Sequence, residues 1–325
     1  MHAILKLAAA GALAGLALAS AQAAEMKKVA ISTIVEVPAL VDTKNGIVEA
    51  LAARGYIDGK TITIDYQNAN GNMPTQQQIA KKFVGSNPDV IVPITTPTSQ
   101  AMVSATKTIP IVFATVTDPI KAKLISRYEK PGGNISGVSD AAPIGAQLDL
   151  FARIVPGMKK IGFIYNPGLD NALATLSRIK QEGAPRGYEI VESPAPTTNE
   201  VILAAKKLIG KVDLIYIPND TTVVAALEAI VKIGWDTDMP VFTGETSGVE
   251  RGALASVGLN YYAVGRVVGD MAADVLDGKK IGDIDAVMAY KVVDKFKIVI
   301  NQASAKKMGV TVPADVLAEA TQIIE

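Results

Sequence analysis

Short, wholly apolar runs alternate with amphipathic ones along most of this chain, and the alternation occurs twice in the same order. Residues 29–33, 61–66, 89–94 and 109–114 read as strands, and residues 42–54, 74–84 and 99–107 between them as helices. In the first helix Ile47, Val48 and Leu51 share one face, and Gly55 ends it. Pro131-Gly132-Gly133-Asn134 interrupts the pattern, which then restarts. Residues 145–154, 171–184, 199–209 and 223–233 read as helices; residues 161–165, 189–193, 213–217 and 241–243 read as strands. Strands that are apolar on both faces and separated by helices belong in a parallel sheet covered on both sides. The expected fold is therefore α/β, with two doubly wound parallel-sheet lobes in tandem. In the tail, residues 253–259 and 297–301 read as strands, 261–276 as a helix and 303–308 as a short one. That helix is expected to return to the first lobe and the last strand to join the second. The first lobe would then comprise residues 27–135 plus about 261–285, and the second 136–260 plus about 286–325, joined by several hinge crossings.

The N-terminus has a different grammar. Lys6 precedes a run of Leu, Ala and Gly over residues 7–19, followed by Ser20-Ala21-Gln22-Ala23-Ala24-Glu25. A basic start, an apolar stretch and small residues at peptidase spacing make a secretory signal peptide, expected over residues 1–24. The run is too short for a bilayer span, which takes about 20 residues. The chain has no cysteine, so a lipid anchor at the cleavage site is not expected. A chain of this length can bury enough apolar surface without disulfides.

The only histidine, His2, lies inside that leader. Ser-His-Asp and Cys-His catalysis, histidine general bases and the usual zinc sites are thereby excluded from the remainder. Carboxylate, lysine or tyrosine chemistry stays open, but no nucleophile motif, Walker-type loop or dinucleotide fingerprint accompanies it. No enzyme activity, metal or cofactor is expected. The 32 basic and 32 acidic residues balance, and the basic ones occur as isolated pairs rather than a stripe. No nucleic-acid partner is expected.

Polar residues gather where strands give way to helices. The first unit has Thr95-Thr96-Pro97-Thr98-Ser99 after one buried strand and Thr117-Asp118-Pro119 after the next. The second has Asn219-Asp220-Thr221-Thr222 and Gly244-Glu245-Thr246 in the matching places, with Tyr165-Asn166-Pro167 at a third strand end. Ligands of open α/β sheets bind at the carboxyl ends of the strands. Hydroxyls and free N–H groups at Thr96, Thr98 and Ser99 could receive a carboxylate, or simply cap the helix. Asp118, Asp220 and Glu245 could pair with a positive group; Asp220 is equally an N-cap and Asp118 an ordinary turn residue. Trp235, at a helix end, reads as packing.

Beyond the leader, Pro38-Ala39-Leu40, Gly55-Tyr56, Gln67-Asn68-Ala69, Pro88-Asp89-Val90-Ile91, Thr96-Pro97, Thr117-Asp118-Pro119 and Pro131-Gly132-Gly133-Asn134 follow one another in order. Gly137-Val138-Ser139-Asp140, Asp213 with Tyr216, Asp220 and Arg251-Gly252-Ala253 continue it. In that order, over about residues 28–309, the chain resembles the ABC-importer substrate-binding proteins of the tryptophan and aromatic amino-acid type, which have the periplasmic-binding type I fold.

The resemblance implies a periplasmic importer component, expected to be a monomer, that passes a small molecule to a cognate ABC permease. It also implies an aromatic or apolar amino acid as ligand. On that reading Thr96, Thr98 and Ser99 bind the carboxylate, and Asp118, Asp220 or Glu245 the ammonium; Leu40 and Tyr165 contact the side chain. Thr117, Asn166, Asn219 and Thr246 complete the expected pocket. The chain departs from the family at Val37, where histidine is frequent, and at Glu245, where aspartate is. A sugar or other neutral solute, an intracellular sensing role and an extracellular hydrolase are the rival readings.

Overall fold

The structure, a computed structural model, describes residues 26–293 and 296–325; the leader read at residues 1–24 lies outside them. The first unit contributes β1 (Lys27–Thr33), β2 (Ile62–Asn68), β3 (Val90–Ile94), β4 (Ile111–Phe113) and β5 (Ile135–Ser139). The second contributes β6 (Lys160–Tyr165), β7 (Glu189–Pro194), β8 (Leu214–Ile217), β9 (Val241–Thr243) and β10 (Ala255–Gly258). The tail adds β11 (Val287–Met288), β12 (Lys297–Asn301) and β13 (Gln322–Ile324). One sheet runs β11-β5-β4-β3-β1-β2 and the other β13-β12-β10-β9-β8-β6-β7. The second unit thus repeats the first, each with the doubly wound order 2-1-3-4-5. Every pairing is parallel except that of β10 with β12.

Burial explains the order. β3, β5 and β8 are buried at every position and sit inside their sheets, whereas β2 and β7, with half-buried and exposed residues, form edges. Each lobe has its own apolar core. In the second, Phe151, Phe163, Tyr216 and Phe242 pack as tilted pairs, with ring centroids 4.4 to 5.8 Å apart.

Two boundaries move from where the sequence put them. The first lobe was expected to end at residue 135, but β5 pairs with β4, so residues 136–139 complete the first sheet. The Pro-Gly-Gly turn precedes β5, a strand of the first sheet, and does not mark the crossing. β11 likewise pairs with β5, although residues 286–325 were read into the second lobe. The helix Tyr261–Leu276 packs in the first lobe, on the helix Pro38–Ala53. A Cβ on Gly46 would fall 2.1 Å from the Tyr262 carbonyl oxygen, and one on Gly265 would fall 2.1 Å from that of Thr43. These helices touch backbone to backbone, and both N-termini reach the space between the lobes. The chain crosses between sheets after β5, after β10 and between β11 and β12, giving a hinge of three strands.

Candidate ligand-binding site

The carboxyl ends of both sheets face one cavity of about 450 Å³, mouth included. From the first lobe it is lined by Val37, Ala39 and Leu40 after β1, Thr95 and Thr96 after β3, Thr115 and Thr117 after β4, and Asp140 after β5. The second lobe supplies Asn171 after β6, Asn219, Asp220, Thr221 and Val224 after β8, and Glu245 after β9; Tyr261 opens the returning helix.

Thr95 and Thr115 hold φ of 89° and 51°. Left-handed backbone is costly for β-branched residues, and such strain collects where a site needs a particular turn. Both follow adjacent strands, and the Thr95 N–H donates to the Ala114 carbonyl at 2.9 Å, tying the turns together. Beyond Thr95 the helix Thr96–Ala105 begins, with Pro97 in its first turn.

Three carboxyls are buried here, and among the described residues no lysine or arginine lines the cavity. Asp140 accepts from the Tyr261 hydroxyl at 3.0 Å, and from Asn219 Nδ2 and Thr117 Oγ1 at 3.3 Å each. Tyr261 in turn accepts from Asn219 Nδ2 at 2.8 Å. Asn219 belongs to the second lobe and the other three to the first lobe, so this network spans the cleft. Burial raises the Asp140 carboxyl above its ordinary range, partly offset by those donors. Asp220 caps the following turn, accepting from Thr222 N–H at 2.9 Å and Val223 N–H at 3.1 Å, and its other oxygen accepts from Asn166 N–H at 2.6 Å. Burial outweighs these bonds and pushes it up to about 6. Glu245 is raised by burial too, while Ser247 holds its Oε2 with an N–H at 2.7 Å.

Five buried polar atoms on the cavity wall have no hydrogen-bond partner among the described residues: Thr96 Oγ1, Thr115 Oγ1, Asn171 Oδ1, Asn219 Oδ1 and Glu245 Oε1. A buried polar group without a partner costs about 1–3 kcal/mol, so their convergence marks the place of a polar ligand. Three can only accept, provided Glu245 is ionised, and two are hydroxyls that can donate. Val37, Ala39, Leu40 and Val224 are apolar members of the same lining.

Of the residues read from the sequence, the structure brings Leu40, Thr96, Thr117, Asn219, Asp220 and Glu245 together on the wall. It places the others elsewhere. Thr98 and Ser99 lie inside the helix, where their hydroxyls bond Thr95 Oγ1 at 3.0 Å and the Thr95 carbonyl at 2.8 Å. Asp118 accepts from Lys121 N–H at 3.0 Å in an ordinary turn. Tyr165 donates to Glu192 at 2.6 Å, and Asn166 braces the Asp220 loop through Thr222 Oγ1 at 2.9 Å. Thr246 precedes the short helix Ser247–Glu250 and packs toward Gly258. Sequence reasoning missed Thr115, Asp140, Asn171 and Tyr261. The strand-end rule, applied to β4 and β5, reaches the first two.

The sequence pattern of the ABC transporter substrate binding protein family matches residues 28–324. The chain belongs to this family. It is 39% identical over 284 residues to the tyrosine-binding protein of Clostridioides difficile (strain R20291), covering 87% of this chain and 81% of that one. The ABC domain of Streptococcus pneumonia in complex with L-Trp is 33% identical with a TM-score of 0.87, covering 92% and 99% of the two chains. A ligand-free, open substrate binding protein with adhesive properties from Clostridium difficile is 36% identical, with the same coverages and a TM-score of only 0.69. At similar identity the chain superposes better on the ligand-bound protein than on the open one. With the hydrogen bonds from Asn219 to Asp140 and Tyr261, this describes a closed cleft. The chain is thus the substrate-binding component of an ABC transporter, with a small-molecule ligand, a permease partner and a place outside the cytoplasm. Among the described residues no helix is long and apolar enough to cross a membrane.

Proposed function

We propose that this protein captures an aromatic L-amino acid, tyrosine or tryptophan, between its lobes and delivers it unaltered to its permease. The reading rests on the five unpartnered polar atoms of the cavity. An ammonium group has three N–H donors, and Asn171 Oδ1, Asn219 Oδ1 and Glu245 Oε1 offer three acceptors. A carboxylate needs donors, and the hydroxyls of Thr96 and Thr115, beside the first turn of the helix Thr96–Ala105, offer them. The side chain then lies against Val37, Leu40 and Val224. The names of the relatives that bind tyrosine and L-Trp support the same class. Closure is favoured because the ligand joins residues of both lobes only in the closed form.

The leader read over residues 1–24 supports a mature chain exported to the periplasm, a shuttle that docks on a permease suits a monomer, and a chain with no cysteine and its single histidine in that leader supports no catalytic step. A thermal-shift screen against the common amino acids, sugars and organic acids tests the ligand class. A ligand at a hundred times its Kd adds about 2.7 kcal/mol, so tyrosine or tryptophan should raise the midpoint selectively. A rise with a sugar and none with any amino acid would discard the proposal.

A further inference from the structure

We propose that Gln100 and Asp170 form a latch between the lobes that sets the affinity for ligand without either side chain touching it. Gln100 lies on the first-lobe helix Thr96–Ala105, and its Nε2 donates to Asp170 Oδ2 at 2.7 Å. Asp170 opens the second-lobe helix Asp170–Gly183. Both residues are half-buried, and neither lines the cavity. Yet each is coupled to it: Asn171 follows Asp170 directly, and Thr96 lies one helical turn before Gln100. The Gln100 amide also donates to the Ala122 carbonyl at 3.3 Å, within its own lobe. That second bond holds the amide facing Asp170, so closure orders little that is not already placed.

The hydrogen bonds of Asn219 to Asp140 and Tyr261 also span the lobes, but they lie on the cavity wall, where ligand contact and closure are entangled. The Gln100–Asp170 bond separates the two. An amide donating to a carboxylate is charge-assisted, and it exists only when the lobes are together. Apparent affinity scales with the fraction of protein in the binding-competent form. Losing the latch lowers that fraction, and with it the affinity for every ligand, by the same factor. For a half-buried bond of this kind the factor is about 3- to 10-fold.

The test uses Gln100→Glu, which sets two carboxylates against each other, and Gln100→Lys, which sets opposite charges together. The chain has no cysteine, so spin labels can be placed at Gln78→Cys and Lys206→Cys, both exposed and on opposite lobes. In the unliganded protein Gln100→Glu should move the label-to-label distances toward the open form, and Gln100→Lys should hold or restore the closed one. The affinity arm rests on the amino-acid reading: Kd for L-tyrosine and for L-tryptophan should rise by one common factor in Gln100→Glu, through faster release. Distances and affinities equal to those of the unsubstituted protein in Gln100→Glu would overturn the latch. If neither amino acid binds the unsubstituted protein, the ligand reading fails, and the distances alone still decide the latch.

Discussion

Replacing Gly265 by alanine is expected to weaken stability and ligand capture together. The new Cβ would meet Thr43 O at 2.1 Å, Thr43 C at 2.8 Å and Thr43 Cα at 3.0 Å. Ordinary contact begins at 3.4 Å, so the closest approach falls short by 3.4 − 2.1 = 1.3 Å. All three atoms are backbone, and no rotamer change relieves them. The helices Pro38–Ala53 and Tyr261–Leu276 must separate by about 1 Å, and overpacking of this kind costs about 1–3 kcal/mol, more when backbone moves. We expect about 3 kcal/mol in urea unfolding, with the midpoint lowered and the slope unchanged. The same separation draws Tyr261 away from Asp140, now at 3.0 Å, and shifts the wall carrying Ala39 and Leu40. Ligand affinity should fall by about tenfold, the loss of one hydrogen bond to a charged group. Gly85→Ala is the control: on the helix Met73–Ser86 its Cβ would meet nothing within 4 Å. That substitution should stabilise by about 0.5–1 kcal/mol. A Gly265→Ala protein within about 0.5 kcal/mol of the unsubstituted one, with unaltered affinity, would refute the argument.

Two further outcomes follow from the buried carboxyls. Glu245→Gln keeps an acceptor for Ser247 but removes the charge facing the ammonium, so calorimetry should show affinity for L-tyrosine reduced by about tenfold or more with little change in stability; unchanged affinity removes Glu245 from the ammonium site. Asp220 is raised from 3.8 to about 6, so between those values the native state keeps a proton that the unfolded chain has lost. Without ligand, the stability contributed by Asp220 should therefore fall as pH rises from about 4 to 6, by about 3 kcal/mol at most. Asp140 and Glu245 act in the same direction, and the described residues contain no histidine. Because paired surface carboxylates such as Glu192 and Glu228 are held low and act the other way, the check is the difference in urea midpoint between the unsubstituted protein and Asp220→Asn at pH 4.5 and 7; a difference that moves in favour of the unsubstituted protein as pH rises contradicts the sign.

The tandem α/β order was legible because buried parallel strands are apolar at nearly every position, as in β3 and β8. Helix starts were less so. Pro38 and Pro97 each sit in a first turn, at helices read as beginning four and three residues later, and neither Val37 nor Thr95 gives a side-chain cap to announce the start. That shift explains Thr98 and Ser99: read as the turn before the helix and its first residue, both lie deeper in it and bond back to Thr95. Half of the expected site lies on the cavity because the strand-end rule is topological and holds in both lobes. The rule says nothing of Tyr261 and Asn171, which reach the cavity from helix starts through tertiary packing. Asp140 was hidden because β5 had been read as the lobe boundary.

On the proposed reading, the cavity holds a free amino acid by its ammonium group as well as by its aromatic side chain. Titrating the protein calorimetrically with L-tyrosine and, separately, with N-acetyl-L-tyrosine tests it most directly. The acetyl group removes the positive charge and two of the three donors while leaving the ring and carboxylate intact. The account predicts one site for L-tyrosine and no measurable binding of the acetylated compound. Equal affinity for both, or binding of neither beside tight binding of a neutral solute, would contradict it.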